Sequence, residues 1–559
     1  MSTHPAFFFD STVPHFATDS KYRQMFDTVP LTFDRVHQGH IASSAFPLFK
    51  LPVELFGHVT KYLSIKDLKA LALVDRDCYK LAALSQYRTL QIEARIQAPG
   101  AYAFSHGQCV RRLNVIPPPW GKDSAVPSLG RPPCHTGTSL FLPNLSILNW
   151  DGPSFTADTI LECMRTSSVQ HLRIRGAVVK SLSTTLPLIS TPCPLETLSL
   201  DIDWSDGDSS QGNVLLTEHL LRAFSPHLRQ LIWKGRQTRY NDTFTRHLPS
   251  FPRLRSLVLD SVLLHSEDAL YHLFGNKTCI DSLSVDTASP ANRAFLRTCG
   301  SLPTLQHFSA IHDAWSDCLY QDLLTFLEHN DHLETVHIAH PIPPTDMDLR
   351  LLPILNQYFG ALTSLRLVFD DIDISQQSLQ TISSITTLKQ LWLSAGNQGF
   401  RSTWVIRHHD ILKYLKPLTG IETLAFSQDT YITPNPHVLS PRIDYYASKA
   451  LPVGVDIAAY LTSPENLLYE GHNVDYETGI SQQAQMREQA WERWHADCML
   501  TFANQYSQAF LSLRWCFLGQ LAFSGDNQTG FAVVDTKLRR EPCLVSLRKK
   551  MSIDIWRPE

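Results

Sequence analysis

Apolar and polar residues alternate along most of this chain in one recurring six-residue pattern, apolar-x-x-apolar-x-apolar. It reads Val110-Leu113-Val115, Leu145-Leu148-Trp150, Val169-Leu172-Ile174, Leu195-Leu198-Leu200, Leu228-Leu231-Trp233 and Leu254-Leu257-Leu259. It continues as Ile280-Leu283-Val285, Leu305-Phe308-Ala310, Leu333-Val336-Ile338, Leu362-Leu365-Leu367, Leu388-Leu391-Leu393 and Ile421-Leu424-Phe426. These twelve copies start mostly 24 to 29 residues apart. The period of two within each copy predicts a short strand with one buried face. Capped apolar segments between them, at residues 217–224, 266–274 and 319–327, predict returning helices. Strand, helix and strand in repetition imply a parallel sheet, because each crossover brings the chain back in the same direction.

That period falls in the range of leucine-rich repeats, so residues 107–427 are expected to form an α/β leucine-rich-repeat solenoid, a parallel sheet with outer helices. The residues that usually close such a repeat, Asn or Cys, are replaced here by Ala177, Asp203, Val262 and Pro341 among others. Side chains between the apolar positions project to the other, concave face of each strand. His171, Arg173, Thr197, Ser199, Gln230, Ser256, Ser282, Ser284, His307, Ser309, Thr335, His337, Ser364, Arg366, Gln390 and Trp392 make that face polar but barely charged. Of these, His171, Arg173, Thr197, Gln230, Ser256, His307, His337, Arg366, Gln390 and Trp392 are the candidate target-binding residues. They offer directional hydrogen bonds, and Arg and Trp are favoured interface anchors.

Ahead of the repeats, Phe49 to Ile92 carries signals for three short helices. Pro52 suits a first helical position, and Leu55, Val59 and Leu63 follow on one face. Ser64 with Asp67 resembles a capping box ahead of Leu68, Leu71, Ala72 and Val74. A third helix is expected from Arg76 to Tyr87, burying Cys78, Leu81, Ala82 and Leu84. The series Leu51-Pro52, Glu54-Leu55, Tyr62-Leu63, Asp67-Leu68 and Leu73-Val74 with Arg76 resembles the F-box, and its later part resembles the fungal form of that motif. Where many F-boxes carry Trp, this chain has Cys78. The resemblance implies docking on the Skp-type adaptor of a cullin-RING ubiquitin ligase through Leu51, Pro52, Glu54, Leu55, Val59, Leu63, Leu68, Leu71 and Val74. The expected role is then substrate recognition in an SCF-type ligase, with the solenoid holding an unidentified protein target. The alternative is a non-ligase interaction scaffold whose F-box is vestigial or binds only the adaptor.

The remaining regions are expected to be an aromatic N-terminal arm (1–45), the F-box (46–92), a long insertion (428–480), and a C-terminal helix with capping strands (481–559). The last is read as a helix from Gln482 to Phe510 followed by a final strand at Leu518-Leu521-Phe523. Net charge is only −4, so no global field draws the chain to nucleic acid or anionic lipid. Neither a leader nor a membrane span is apparent, and a cytoplasmic or nuclear location is expected. The 11 cysteines include no C-x-x-C pair, which suits reduced thiols and predicts no metal or other cofactor. Phosphate, dinucleotide, zinc-protease and nucleophile-elbow motifs are missing, so no enzymatic activity is expected. The nearest cluster, His408-His409-Asp410, reads as a polar helix start.

Overall fold

In this computed structural model the described residues are 55–93 (except 56–58, 61 and 75), 109–116, 142–178 (except 156), 195–202, 210–235, 248–275 (except 263 and 265), 279–311 (except 288), 320–396, 404–430 (except 428), 451–460 (except 452–453), 476–534 (except 527–529) and 547–551 (except 548–549). The chain divides into two compact units, Met1–Thr278 and Cys279–Arg557. The N-terminal arm and the proline-rich stretch after Ile116 lie outside the described residues.

The first unit opens with helices α1 (Ile65–Ala72) and α2 (Arg76–Gln86), which pack on each other. Ser64 starts α1 through a reciprocal pair: its hydroxyl accepts the Asp67 N–H at 3.2 Å, and the Asp67 carboxylate accepts the Ser64 N–H at 3.1 Å. Two otherwise orphaned donors are satisfied this way. Strand β1 (Thr89–Glu93) follows at once and pairs in parallel with β2 (Arg112–Ile116), so the helical module feeds directly into the sheet. Tyr87-Leu90-Ile92 is thus a further copy of the repeat pattern, upstream of the first one recognised. The unit continues through β3 (Ile147–Phe155), α3 (Ala157–Arg165), β4 (His171–Val178), β5 (Thr197–Ile202), α4 (Ser210–Phe224), β6 (Gln230–Lys234), β7 (Ser256–Asp260) and α5 (Ala269–Phe274). Each strand from β1 to β7 is parallel to the next.

The second unit repeats the scheme with β8 (Ser282–Asp286), α6 (Pro290–Thr298), β9 (His307–Ile311), α7 (Tyr320–His329), β10 (Thr335–Ile342), α8 (Leu352–Tyr358), β11 (Ser364–Phe369), α9 (Gln376–Ser384) and β12 (Gln390–Ser394). Then come β13 (Trp404–Val405), α10 (His408–Leu415), β14 (Thr423–Ser427), β15 (Asp429–Thr430), α11 (Tyr476–Ala509), β16 (Trp515–Leu518), β17 (Leu521–Asp526) and β18 (Gly530–Val533). Parallel pairing runs from β8 through β12, on to β14 and β16, and then changes: β16, β17 and β18 are antiparallel neighbours. Strands β13 and β15 form a separate two-stranded pair.

Register within each unit is carried by one carbonyl per repeat. Ser146 O accepts from Gln170 N and His171 N, and Gln170 O in turn accepts from Glu196 N and Thr197 N. In the second unit the same relay passes from Asp281 through Gln306, Glu334, Thr363, Lys389 and Glu422 to Arg514. This overturns the reading of Leu518-Leu521-Phe523 as one strand. The repeat is Leu513-Cys516-Leu518, with Cys in a leucine position, and the chain reverses at Gly519-Gln520, both with positive φ (57° and 60°).

All of the repeat leucines, from Leu113 to Leu424, are buried. They face the helices: the Phe308 ring on β9 lies 4.5 Å from Phe326 of α7, and Phe426 of β14 meets His408 and Tyr506 from α10 and α11. Each such side chain contributes about 1.5 to 3 kcal/mol of burial, which a single strand-helix unit has no surface to achieve alone. The architecture is therefore an α/β solenoid of the leucine-rich-repeat type, preceded by a small all-α module.

Candidate functional site

Three surfaces bear on function, beginning with the helical module. Leu51, Pro52 and Glu54 lie outside the described residues. Leu68 and Cys78 turn inward with Leu81 and Ala82, while Val59, Leu63 and Leu71 are partly covered. Leu55 (43%) and Val74 (50%) are exposed, and so are Tyr62 (82%), Ile65 (43%) and Leu73 (88%), which the sequence reading had not singled out as contacts. These five large apolar side chains fall within 20 residues of sequence. Cys78, where many F-boxes carry Trp, is fully buried and fills the interior between the helices.

The second surface is the face of the first unit's strands turned away from the helices. Here His171 Nδ1 sits 3.0 Å from Thr197 Oγ1, and Asn149 Nδ2 donates to Asn114 Oδ1 at 2.8 Å. Arg173, Gln230 and Ser256 are partly exposed beside them, whereas Thr197 is buried. Burial lowers the His171 pKa, as does Arg112, against an opposing pull from Glu196. One pleat further along, the register aligns Asp151, Arg175, Asp201, Lys234 and Asp260. Arg175 reaches Asp151 at 3.7 Å and Asp201 at 3.8 Å, and Lys234 reaches Asp260 at 3.5 Å. A barely charged face was expected; an alternating row of charge is present. Its signal was in the sequence, since each of these residues directly follows the last apolar position of its repeat.

On the corresponding face of the second unit the hydrogen bonds run from strand to strand. His307 Nδ1 lies 3.0 Å from Thr335 Oγ1. The Ser364 hydroxyl donates to Gln390 Oε1 at 3.0 Å, so it accepts from His337 Nε2, 2.9 Å away. His337 is buried, and that burial, with Arg366 and His307 nearby, pushes its pKa down to about 3. The Arg366 guanidinium stacks 3.7 Å over the Trp392 ring, whose Nε1 donates to Ser427 Oγ at 2.7 Å. Trp392 was expected to meet a target, yet only 3% of it is exposed. It packs with Ala425, Trp515, Phe517, Ala522 and two residues from near the C-terminus, Leu547 and Met551. The aromatic end of this face is thus covered by the chain itself.

Two further histidines of the second unit, His408 and His495, serve packing. His408 stacks on Phe502 at 3.9 Å and lies 3.1 Å from the Tyr506 hydroxyl; burial pushes its pKa down to about 3. His495 stacks on Trp491, and its Nε2 donates to Gly519 O at 2.8 Å, while Gly519 N donates to buried Asp429 at 2.8 Å. A Cβ on Gly519 would meet Met499 Sδ at 2.5 Å, so the close approach of helix and turn requires glycine. Among the described residues no cluster of three or more His, Cys, Asp or Glu is placed to hold a metal. No described helix is long and apolar enough to cross a membrane.

No family model matches the chain, and no curated protein does. Among solved structures it is similar to a leucine-rich-repeat protein of Leptospira interrogans, at 11% identity over 68% of this chain and 93% of that one, with a TM-score of 0.26. So loose a superposition carries no weight beside the strand order and register, on which the fold assignment stands.

Proposed function

We propose that the chain is a substrate-recognition adaptor of an SCF-type ubiquitin ligase, with no catalytic role of its own. In this reading the helical module docks on a Skp-type adaptor and, through it, a cullin, while the repeat sheet holds a target protein. The observation that carries it is the bare apolar surface of the F-box-like module, led by Leu73 at 88% and Tyr62 at 82% exposed. Four or five such side chains buried at about 1.5 to 3 kcal/mol each would give on the order of 10 kcal/mol of gross stabilisation before association costs. The module's direct run into β1 supports a rigid link between the two functions. Ubiquitin transfer would then depend on proximity and orientation.

The test is titration calorimetry of the full chain with a purified Skp-type adaptor. Wild type is expected to bind, and Leu73→Asp with Val74→Asp to weaken binding at least ~100-fold without changing the melting curve. Lack of binding by the folded wild type would sink the reading. A second reading, a repeat scaffold outside any ligase, is favoured by Cys78, whose burial leaves no large aromatic at that position. Unchanged target abundance in cells carrying the double substitution, with adaptor binding lost, would select it.

A further inference from the structure

We infer that Arg173, on the face of the first unit's sheet turned away from the helices, is an anion site that receives an Asp or Glu side chain of the target protein. The inference rests on the reading of that face as the target-binding surface and adds the chemistry of what it holds. It is independent of the helical module.

Charge on this face from β3 to β7 is almost fully paired. Arg175 lies between Asp151 and Asp201, and Lys234 meets Asp260. Arg173 is the exception, with no ion pair or hydrogen bond among the described residues. It sits two residues from both His171 and Arg175 on β4, so the three project from one side of the strand about 6.6 Å apart. Burial lowers the His171 pKa, which leaves that ring neutral near pH 7, and the Arg175 guanidinium is shared between two carboxylates. Arg173 is therefore the open cation of this column. The register sets Asn149 of β3 and Ser199 of β5 on its two sides, about 4.8 Å away. Both are uncharged, and Asn149 Nδ2 donates to Asn114 Oδ1 at 2.8 Å, so neither neighbour neutralises the guanidinium. Arg173 is also partly exposed, and a partner can reach it without displacing any described element.

A carboxylate suits this place better than a phosphate. One guanidinium fork matches the two oxygens of one carboxylate, and the pairing is strong where water is partly excluded. A phosphate group carries nearly two charges and calls for a second open cation. The nearest candidate, Arg175, is held by Asp151 and Asp201, whose carboxylates would repel the excess charge. The same two carboxylates exclude a second acidic residue further along β4, since the Asp151 side chain is 46% exposed. An extended partner segment running along β4 is therefore expected to carry one Asp or Glu over Arg173 and a neutral or basic residue two positions on. Polyanions such as nucleic acid or an anionic membrane, which present many charges at once, are disfavoured by that row.

The experiment uses the immobilised full chain and four pools of acetylated synthetic nonapeptides, with randomised flanks and a fixed central Glu, Gln, Lys or phosphoserine. Wild type should retain the Glu pool at least ~10-fold over the Gln and Lys pools, and above the phosphoserine pool. Arg173→Met should remove that preference, and Arg173→Glu should turn it towards the Lys pool. Phosphoserine retained above Glu, or a Glu preference that survives Arg173→Met, would overturn the inference. Equal retention of the Glu and Gln pools by wild type overturns the anion site but leaves the sheet a binding surface, whereas retention of no pool overturns both. If the variants do not fold, phenylglyoxal modification of wild type decides: protection of Arg173 by the Glu pool and not by the Gln pool supports the site, and lack of protection refutes it. Adaptor binding, measured on the same samples, reports separately on the ligase reading.

Discussion

The two units carry the same strand-and-helix repeat, but their faces turned away from the helices differ. In the first, Asp151, Arg175 and Asp201, then Lys234 and Asp260, pair their charges across neighbouring strands. In the second, hydrogen-bonded His, Ser and Gln side chains lead into an aromatic end closed over by Leu547 and Met551. The helix-facing row has no such freedom, because a residue there must fill a dry, close-packed interior. The opposite row answers only to its neighbours on adjacent strands and to whatever binds it. A shared scaffold therefore leaves each unit free to present its own surface chemistry.

Acid should separate the units most strongly. His337, His408 and His495 of the second unit have pKa values pushed down to about 3, about 3 and about 4, chiefly by burial. Above the ordinary histidine pKa of about 6.5 they are neutral whether folded or unfolded, and pH has no leverage. Below it the unfolded chain takes up protons that the folded unit refuses. Stability then falls by about 1.4 kcal/mol per pH unit for each histidine, until the folded pKa is reached. Urea unfolding from pH 7 to pH 4, mapped by proteolysis and mass spectrometry, should show the second unit opening first. His408→Phe should flatten that dependence; earlier opening of the first unit would contradict it.

Core truncation should erase the difference between the units. Leu172 and Leu365 occupy the same place in their repeats and both are fully buried, so Leu172→Ala and Leu365→Ala should each cost about 2 to 5 kcal/mol. Chemical denaturation of the two variants checks this, and a loss confined to one unit would mean that the helix-facing rows are not equivalent. The smallest effect is expected on the charged row. Arg175→Ala removes two ion pairs from a side chain 43% exposed, and should cost less than about 1 kcal/mol. That cost should shrink further in about 0.5 M salt, where screening shortens the reach of charge. A larger loss would make the row structural, and an unchanged one would leave it free for binding.

Much of this was legible before any coordinates. Ser64 and Asp67 announced the start of α1, and the positions of the twelve strands followed from the spacing of leucines. The errors have physical causes. The short strand after Tyr87-Arg88 was read as the end of the F-box-like module, because the F-box-like residues ahead of it tied it to the helices, whereas its pairing with β2 makes it the first strand of the sheet. Leu513-Cys516-Leu518 was passed over because Cys took the place of Leu, and Leu518-Leu521-Phe523 met the same spacing across a turn that only Gly519 and Gln520 reveal. The charged row lies one position past the last apolar residue of each repeat, beyond the apolar pattern that marks the strand. Leu55 and Val74 were named for docking, but the exposure of Leu73 and Tyr62 depends on how α1 and α2 pack.

By itself the sequence determined the repeat, its parallel sheet and which row of each strand points to the helices, because side-chain alternation and helix capping are local properties of the chain. Tertiary structure decided which parts of the opposite row remain open. Covering Trp392 with Leu547 and Met551 joins segments remote in sequence, and no local periodicity records where a distant turn comes to rest.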